Sequence, residues 1–238
     1  MNDELLPIGE TAALIGVSVD TIRRWDTEGK LKPTFVSPGK HRYYRKVDID
    51  LFTNDIFLQA KSWASATEPS LPKNEQYCQL KPVFLARLER MQNELRQIPE
   101  FAETYSLIVG VAAEIGNNSF DHNLGNWPDI QGNFFAYDLS RRKIALADRG
   151  RGILRTLRDV RPSLESHSDA LRVAFTEVLT ARAPESRGNG LKFVRANVTK
   201  KLIFCSGDAQ VTVESGSGQM TIGAISPSVQ GCVALIEF

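Results

Sequence analysis

The stretch Glu114-Ile-Gly-Asn-Asn-Ser-Phe-Asp-His122 decides how the larger part of this chain folds and what it can hold. It follows an apolar run and spaces a carboxylate, a carboxamide and an imidazole four residues apart, at Glu114, Asn118 and His122. Residues at that spacing lie along nearly one face of a helix. An acid among apolar neighbours is costly to bury unless it meets a metal ion, water or hydrogen-bond donors. The spacing therefore predicts a helix face that holds metal and phosphate.

Two glycine motifs follow in a fixed order. Asp148-Arg-Gly150-Arg-Gly152-Ile153 comes directly after a predicted strand, and Gly188-Asn-Gly190-Leu191 opens a predicted helix flanked by Arg187 and Lys192. Glycine lets the backbone pass close to a ligand, and aspartate accepts hydrogen bonds from a base. Either motif alone is equally compatible with an ordinary turn. Together, and after the helix motif, they predict one binding site for ATP.

In that order the three motifs resemble those of the GHKL ATPase superfamily. The resemblance implies an α+β chain whose residues 83–238 form a Bergerat-type ATP-binding fold, a two-layer α/β sandwich with a mixed sheet, with ATP and Mg²⁺ as cofactors. By resemblance Glu114 is the general base, Asn118 the magnesium ligand, and Asp148 the acceptor for the adenine amino group. The other nucleotide contacts that the resemblance implies are His122, Gly150, Gly152, Ile153, Arg187, Gly188, Gly190, Leu191 and Lys192.

Residues 1–57 differ from the rest of the chain in their sequence pattern, with two short helix signals followed by a basic run. Ile8 to Ile15 predicts a short helix, and Ser18 is a good N-cap for a second helix after a tight turn. Pro38-Gly39 then predicts a hairpin turn before a basic and aromatic run. Between residues 20 and 46, eight Lys or Arg face three acids. Such a local excess attracts phosphate even though the whole chain has a net charge of only +1.

This segment resembles the winged helix-turn-helix of the MerR and excisionase group. The resemblance implies a partner of double-stranded DNA, with the second helix in the major groove and the basic run on the backbone. It also implies a homodimer that reads two half-sites. The alternative is a small helical domain that merely displays basic residues. The implied DNA contacts are Ser18, Thr21, Arg23, Arg24, Lys40, His41, Arg42 and Tyr43.

Residues 58–82 are rich in proline and polar residues and predict a linker between the two domains. After it, residues 83–98 space apolar side chains as an amphipathic helix does. Its apolar face has two possible partners, the ATP-binding core or a second copy of the chain.

Composition bounds the remaining possibilities. Hydrophobic residues at 42% and charged residues at 24% are ordinary for a globular protein. Three widely separated cysteines and no signal-like start favour the cytoplasm. The longest uncharged stretch, residues 215–236, contains several glycines and one proline, so it predicts strands and turns and not a membrane span.

Three functions remain open for this combination. The leading hypothesis is a DNA-binding regulator, of transcriptional or phage type, whose nucleotide state controls DNA or partner binding. The second is a serine/threonine protein kinase similar to anti-sigma-factor kinases, acting on a STAS-like partner, and the third is a noncatalytic excisionase-like architectural protein. A histidine kinase is disfavoured, because the three histidines, His41, His122 and His167, leave residues 58–100 without a phosphoacceptor.

Overall fold

The computed structural model describes residues 4–177, 190–216 and 219–238. The chain divides into an N-terminal unit, residues 1–59, and a C-terminal unit, residues 60–238. Both units mix helices with antiparallel sheets, as the predicted α+β class requires. Among the helices within the described ranges, none is both long enough and apolar enough to cross a membrane.

The N-terminal unit is a helix-turn-helix with a three-stranded antiparallel sheet of order β1-β3-β2. Ser18 caps α2, as predicted, because its Oγ accepts a hydrogen bond from the Thr21 backbone N–H at 3.1 Å. Gly29 follows the helix with φ +72°, a conformation that glycine adopts without strain. The elements are β1 (Leu5–Pro7), α1 (Ile8–Ile15), α2 (Val19–Thr27), β2 (Phe35–Val36), β3 (Arg42–Arg45) and α3 (Lys46–Thr53).

A small apolar core holds this unit together. Ile22 of α2, Tyr44 of β3 and Ile49 of α3 are fully buried against one another. The rings of Trp25 and Phe52 lie 5.0 Å apart at its edge. Helix α2 thus turns its apolar side inward, which leaves Arg23 and Arg24 on the outside.

The C-terminal unit is a five-stranded sheet covered on one face by helices. Its first helix, α4, begins in the N-terminal unit. The elements are α4 (Ile56–Ser65), β4 (Tyr77–Cys78), α5 (Lys81–Arg96), a short 3₁₀ helix (Pro99–Phe101), α6 (Tyr105–Asp121), β5 (Asn133–Asp138), β6 (Lys143–Asp148), α7 (Gly152–Arg158), α8 (His167–Thr176), α9 (Gly190–Asn197), β7 (Lys201–Glu214) and β8 (Met220–Glu237).

The sheet is antiparallel throughout its described strands, so the predicted mixed sheet is wrong. Its order is β4-β5-β6-β8-β7, and each neighbouring pair runs antiparallel. The chain leaves β6, passes through three helices and returns as β7. Strand β8 then inserts between β6 and β7, and this separates the two strands that a crossover would otherwise pair in parallel.

One face of the sheet shares its core with α5, α6, α8 and α9. The strand register places Leu146 opposite both Phe135 and Ala234, and Ala234 opposite Phe204, so these four side chains form one buried row. The next row toward the end of β6 is Asn133, Asp148, Cys232 and Ser206. Polar side chains therefore occupy the edge of the helix-covered face.

The segment 58–82 differs from the predicted linker. It contains α4 as far as Ser65 and the short strand β4, which pairs with β5. Trp63 and Ala64, in the last turn of α4, are buried. The proline-rich residues between these elements follow the prediction better, because they lie outside helices and strands. The linker prediction missed α4 because the proline and polar content of the segment outweighed its few apolar residues, Ala60, Trp63 and Ala64, which are buried.

Candidate functional site

The exposed side of α2 carries the residues predicted to contact DNA bases. Thr21 is paired with the N-cap, because its Oγ1 lies 3.0 Å from the Ser18 Oγ. The Arg23 guanidinium donates to Asp20 at 2.9 Å, and Arg24 lies 3.8 Å from the carboxylate of Glu28. Both arginine side chains are well over half exposed. Because exposed ion pairs are weak, the guanidinium groups of Arg23 and Arg24 remain accessible to a partner.

The wing is the turn between β2 and β3. Lys40 and His41 are exposed at its tip, and the ring of Tyr43 lies 5.9 Å from that of Phe35. Arg42 differs from its neighbours, because its Nε donates to Asp26 of α2 at 2.7 Å. This hydrogen bond raises the pKa of the Arg42 guanidinium. Arg42 therefore ties the wing to α2, while the tip residues remain outward.

In the C-terminal unit, the predicted helix face is formed by α6. Glu114 and Asn118 are half-buried, and the Asn118 amide nitrogen donates to the Glu114 carboxylate at 3.3 Å. His122 is the C-cap of the helix. The three side chains line one cleft, as their spacing predicts.

Asp148 ends β6 at the base of the same cleft and is only 3% exposed. Its carboxylate accepts hydrogen bonds from the Ser119 hydroxyl at 3.0 Å and from the Gly150 N–H at 2.8 Å. Burial raises the pKa of this carboxyl to about 6, although these hydrogen bonds oppose the shift. Asp148 is thus a buried acceptor whose charge is costly without a further donor.

Asn123 organises the loop around Asp148, although the sequence did not single it out. Its amide nitrogen donates to the Ser119 carbonyl at 2.7 Å and lies 3.5 Å from Asp148 Oδ1. Its amide oxygen accepts from the Arg151 N–H at 2.8 Å. Asn123 is 4% exposed. The only sequence signal was an asparagine one residue after the helix motif, which is also a common helix-end residue.

Ser206 and Cys232 form the far side of the base. The Ser206 hydroxyl donates to the Gly231 carbonyl at 3.0 Å and accepts from the Ile153 N–H at 3.0 Å. Cys232 lies opposite Asp148 in the sheet and lines the cleft. Burial raises the pKa of its thiol well above the usual value. Strand β8 places Cys232 beside Asp148, and the pairing of β7 with β8 places Ser206 beside Cys232.

Two glycines allow close approaches that a side chain would block. A Cβ at Gly190, the first residue of α9, would overlap the carboxylate of Glu114. A Cβ at Gly231, whose φ is +69°, would overlap the carbonyl and carboxylate of Asp148. Gly190 thus allows α9 to lie close to Glu114 of α6, and Gly231 allows β8 to lie directly against Asp148.

The cleft encloses about 850 Å³, a volume that includes space open to solvent. Its described lining includes neither Gly150, which lies behind Asp148, nor Lys192. Arg187 and Gly188 lie outside the described residues. The predicted residues that line the cleft are Glu114, Asn118, His122, Asp148, Gly152, Ile153, Gly190 and Leu191.

Arg149 is a second buried charge beside Asp148 that the sequence did not single out. Its side chain is 4% exposed, and its Nε and Nη2 donate to Asp129 at 2.9 and 2.7 Å. Its Nη1 donates to the backbone carbonyls of Trp63 at 2.7 Å and Ala64 at 3.2 Å. The motif Asp148-Arg-Gly150 thus contacts α6 through its aspartate and α4 through its arginine.

The described residues contain no cluster of three or more His, Cys, Asp or Glu side chains able to hold a metal ion. Glu114, Asn118 and Ser119 are the oxygen-bearing side chains of α6 in the cleft, and the Ser119 hydroxyl donates to Asp148. Magnesium prefers hard oxygen ligands and commonly takes one or two from the protein with the rest from phosphate and water. The donor set of the cleft therefore suits a metal ion that arrives with phosphate groups.

Comparison with known proteins identifies the N-terminal segment. Residues 7–44 match the family described as MerR family regulatory protein. These residues are a MerR-family helix-turn-helix domain, and the chain therefore carries the DNA-binding domain of that class of regulator. The predicted MerR resemblance of this segment is confirmed.

A further similarity covers a short segment. Over 70 residues, 29% of this chain, it is 36% identical to the type II methyltransferase M.Eco47II of Escherichia coli. The chain spans 17% of the length of that methyltransferase.

Proposed function

We propose that the chain is a DNA-binding regulator whose C-terminal unit binds ATP with Mg²⁺ in the cleft around Asp148, in a GHKL-like manner. The observation that carries the proposal is the buried Asp148 carboxylate, which faces the cleft beside Asn118 and Glu114. Two motifs supply these groups, and Gly190 of the third motif lies against Glu114. Because the segment shared with the methyltransferase is a small part of that protein, we do not propose methyl transfer.

Each end of the cleft suits one part of the nucleotide. At the base, Asp148 accepts from the adenine amino group, and Ile153 and Leu157 supply apolar surface for the ring. Its pKa of about 6 leaves the carboxyl ionised, and so an acceptor, at neutral pH. At the mouth, the first backbone N–H groups of α9 and the Asn118 carboxamide oxygen serve the phosphates and Mg²⁺.

Glu114 favours turnover of the nucleotide. Its carboxylate lies against the backbone of Gly190, at the phosphate end of the cleft. From there it accepts the proton of the attacking hydroxyl while the bond between the β-phosphate oxygen and the γ-phosphorus breaks. Asn118 would hold Mg²⁺, which would supply positive charge for the phosphates. The attacking group is water in an ATPase and a serine or threonine hydroxyl of a STAS-like partner in a kinase.

The experiment is a titration of the full chain with ATP and Mg²⁺, followed by phosphate release. We expect Asn118→Ala to weaken magnesium-dependent binding by at least tenfold and Glu114→Gln to abolish release while binding survives. Asn93→Ala and Glu89→Gln, both on the exposed side of α5, are the matched controls.

The outcomes separate the candidate functions. Release that depends on Glu114 supports an ATPase, and release only with a STAS-like partner supports the kinase. Binding with no release in either case leaves the nucleotide as a switch. DNA bending without any nucleotide binding would replace the proposal by the excisionase-like architectural protein.

We propose that the chain binds DNA as a homodimer, because helix-turn-helix domains commonly read two half-sites as dimers. The amphipathic α5 buries Phe84, Leu88 and Met91 within the core of its own unit. The apolar face of α5 is therefore used in the fold of one chain, and we place the proposed dimer contact elsewhere. Sedimentation of the full chain with and without DNA measures the stoichiometry.

A further inference from the structure

Arg149 occupies a position that the nucleotide site itself does not require. It follows Asp148 directly, and consecutive side chains of an extended chain point to opposite sides. Asp148 contacts Ser119 of α6, whereas Arg149 contacts the last turn of α4. A shift of the backbone at this motif therefore moves both contacts together.

The geometry of the Arg149 contact is specific. The guanidinium has five N–H donors in a rigid fork. It makes four hydrogen bonds, two to Asp129 and one each to the carbonyls of Trp63 and Ala64. The last carbonyls of a helix have no partner within the helix, and its C-terminal end attracts positive charge. Arg149 thus caps the end of α4 with a buried charge that Asp129 neutralises.

The contact of Arg149 matters because of the position of α4 in the chain. The helix begins at Ile56, within the N-terminal unit, and ends at Ser65, within the C-terminal unit. Helix α4 therefore contains residues of both units. The end of that helix is held by a residue of the nucleotide motif.

We propose that Arg149 is the positioning residue that transmits nucleotide occupancy at Asp148 to the last turn of α4, and through α4 to DNA binding. This inference rests on the proposed ATP site. Donation by adenine to Asp148 moves the Asp148–Gly150 backbone, and the fork of Arg149 carries that movement to the carbonyls of Trp63 and Ala64. A nucleotide changes DNA affinity only if it favours one of two arrangements, and this contact differs between them.

The first test is hydrogen exchange of the full chain with and without ATP and Mg²⁺. We expect the amides of residues 60–66 to change their exchange rates when ATP binds to the wild type. In Arg149→Lys, which keeps the charge and loses the fork, we expect ATP to bind within about threefold of wild type while the change in α4 is lost. The matched control is Arg90→Lys, in an exposed pair with Glu94.

The second test measures DNA affinity with a random-sequence duplex at low salt. ATP should change the affinity of the wild type by roughly 5- to 150-fold, the usual range of coupling between sites. The ratio of the affinities with and without ATP should fall to near one in Arg149→Lys and in Asp129→Asn. Arg90→Lys should keep the wild-type ratio.

Each result bears on the proposal. Unchanged exchange in α4 of the wild type when ATP is bound overturns it, and this measurement needs no variant to fold. An unchanged ATP effect in both variants also overturns it, while the ATP site stands. Failure of the wild type to bind ATP instead removes the proposed function on which the inference rests.

Discussion

The charged side chains of the two candidate functional sites lie in opposite surroundings. In the N-terminal unit the pair Arg23–Asp20 lies at the surface, with side chains 58% and 87% exposed. In the C-terminal unit Asp148 and Arg149 are each 3% exposed. Water and salt screen exposed charges, whereas a buried charge is costly unless other groups satisfy it. The first unit thus keeps charge available for an anionic partner, and the second organises charge around a fixed site.

The largest expected effect comes from Arg149→Met. Arg149→Met removes a buried guanidinium and leaves two helix carbonyls and Asp129, whose side chain is 32% exposed, without this donor. We expect a loss of about 3 kcal/mol in the free energy of unfolding. The exposed pair Arg90–Glu94 supplies the comparison, since Arg90→Met should cost roughly 0.5 kcal/mol or less. Urea denaturation of both variants measures the difference. Equal losses would mean that burial does not distinguish the two pairs.

The next effect concerns Asp148 and pH. Its pKa is raised from 3.8 to about 6, so between these values the folded chain holds a proton that the unfolded chain has released. The stabilisation from this bound proton is therefore lost as the pH rises from 3.8 to about 6. Above that pH, Asp148 adds no further pH dependence to stability. Asp148→Asn should flatten the profile by up to about 3 kcal/mol, the equivalent of roughly two pKa units.

Denaturation of Asp148→Asn and wild type at a series of pH values measures this effect. Asp159→Asn, which changes a half-exposed carboxylate paired with Arg151, is the matched control and should leave the slope between pH 3.8 and about 6 in place. A profile for Asp148→Asn that parallels the wild type would place the titration on another group.

A smaller effect is expected at the cap of α2. Ser18→Ala removes the acceptor for the Thr21 N–H and should lower the free energy of unfolding by about 1 kcal/mol. Ser62→Ala, at an exposed position within α4, should change it little and serves as the control. Thermal denaturation reports both. A neutral Ser18→Ala would show that water replaces the hydroxyl at this helix end.

The smallest change in stability, and a clear change in salt dependence, is expected from Lys40→Gln. A lysine that contacts one phosphate contributes about one to the slope of log affinity against log salt, so the slope should fall by about one. Lys73→Gln, exposed in the C-terminal unit, should leave the slope unchanged. An unaltered slope for Lys40→Gln would place the wing tip away from the DNA backbone.

Local sequence patterns predicted much of both units. The four-residue spacing of Glu114, Asn118 and His122 was sufficient to predict that their side chains lie together, because a helix fixes which residues share a face. The N-cap at Ser18 was also predictable from local sequence, because capping depends only on neighbouring residues. The helix-turn-helix followed from such local signals and from the family match.

Features that depend on topology were missed. The mixed sheet was wrong because strand order is set by where β8 inserts, and no local pattern encodes that insertion. Cys232 and Ser206 reach Asp148 only through the register of β7 and β8. Arg149 resembled an ordinary exposed arginine between two motif residues, because its partners Trp63 and Ala64 are more than eighty residues away in sequence.

The central claim is that the buried Asp148 makes the cleft an adenine-nucleotide site. Calorimetric titration of the wild-type chain with ATP and with GTP, both with Mg²⁺, tests it most directly. The guanine ring presents a carbonyl oxygen where adenine presents an amino group, so a carboxylate acceptor discriminates against it. We predict binding of ATP and at least tenfold weaker binding of GTP, a preference that Asp148→Asn reduces. No binding of ATP, or equal binding of both nucleotides, would contradict the account.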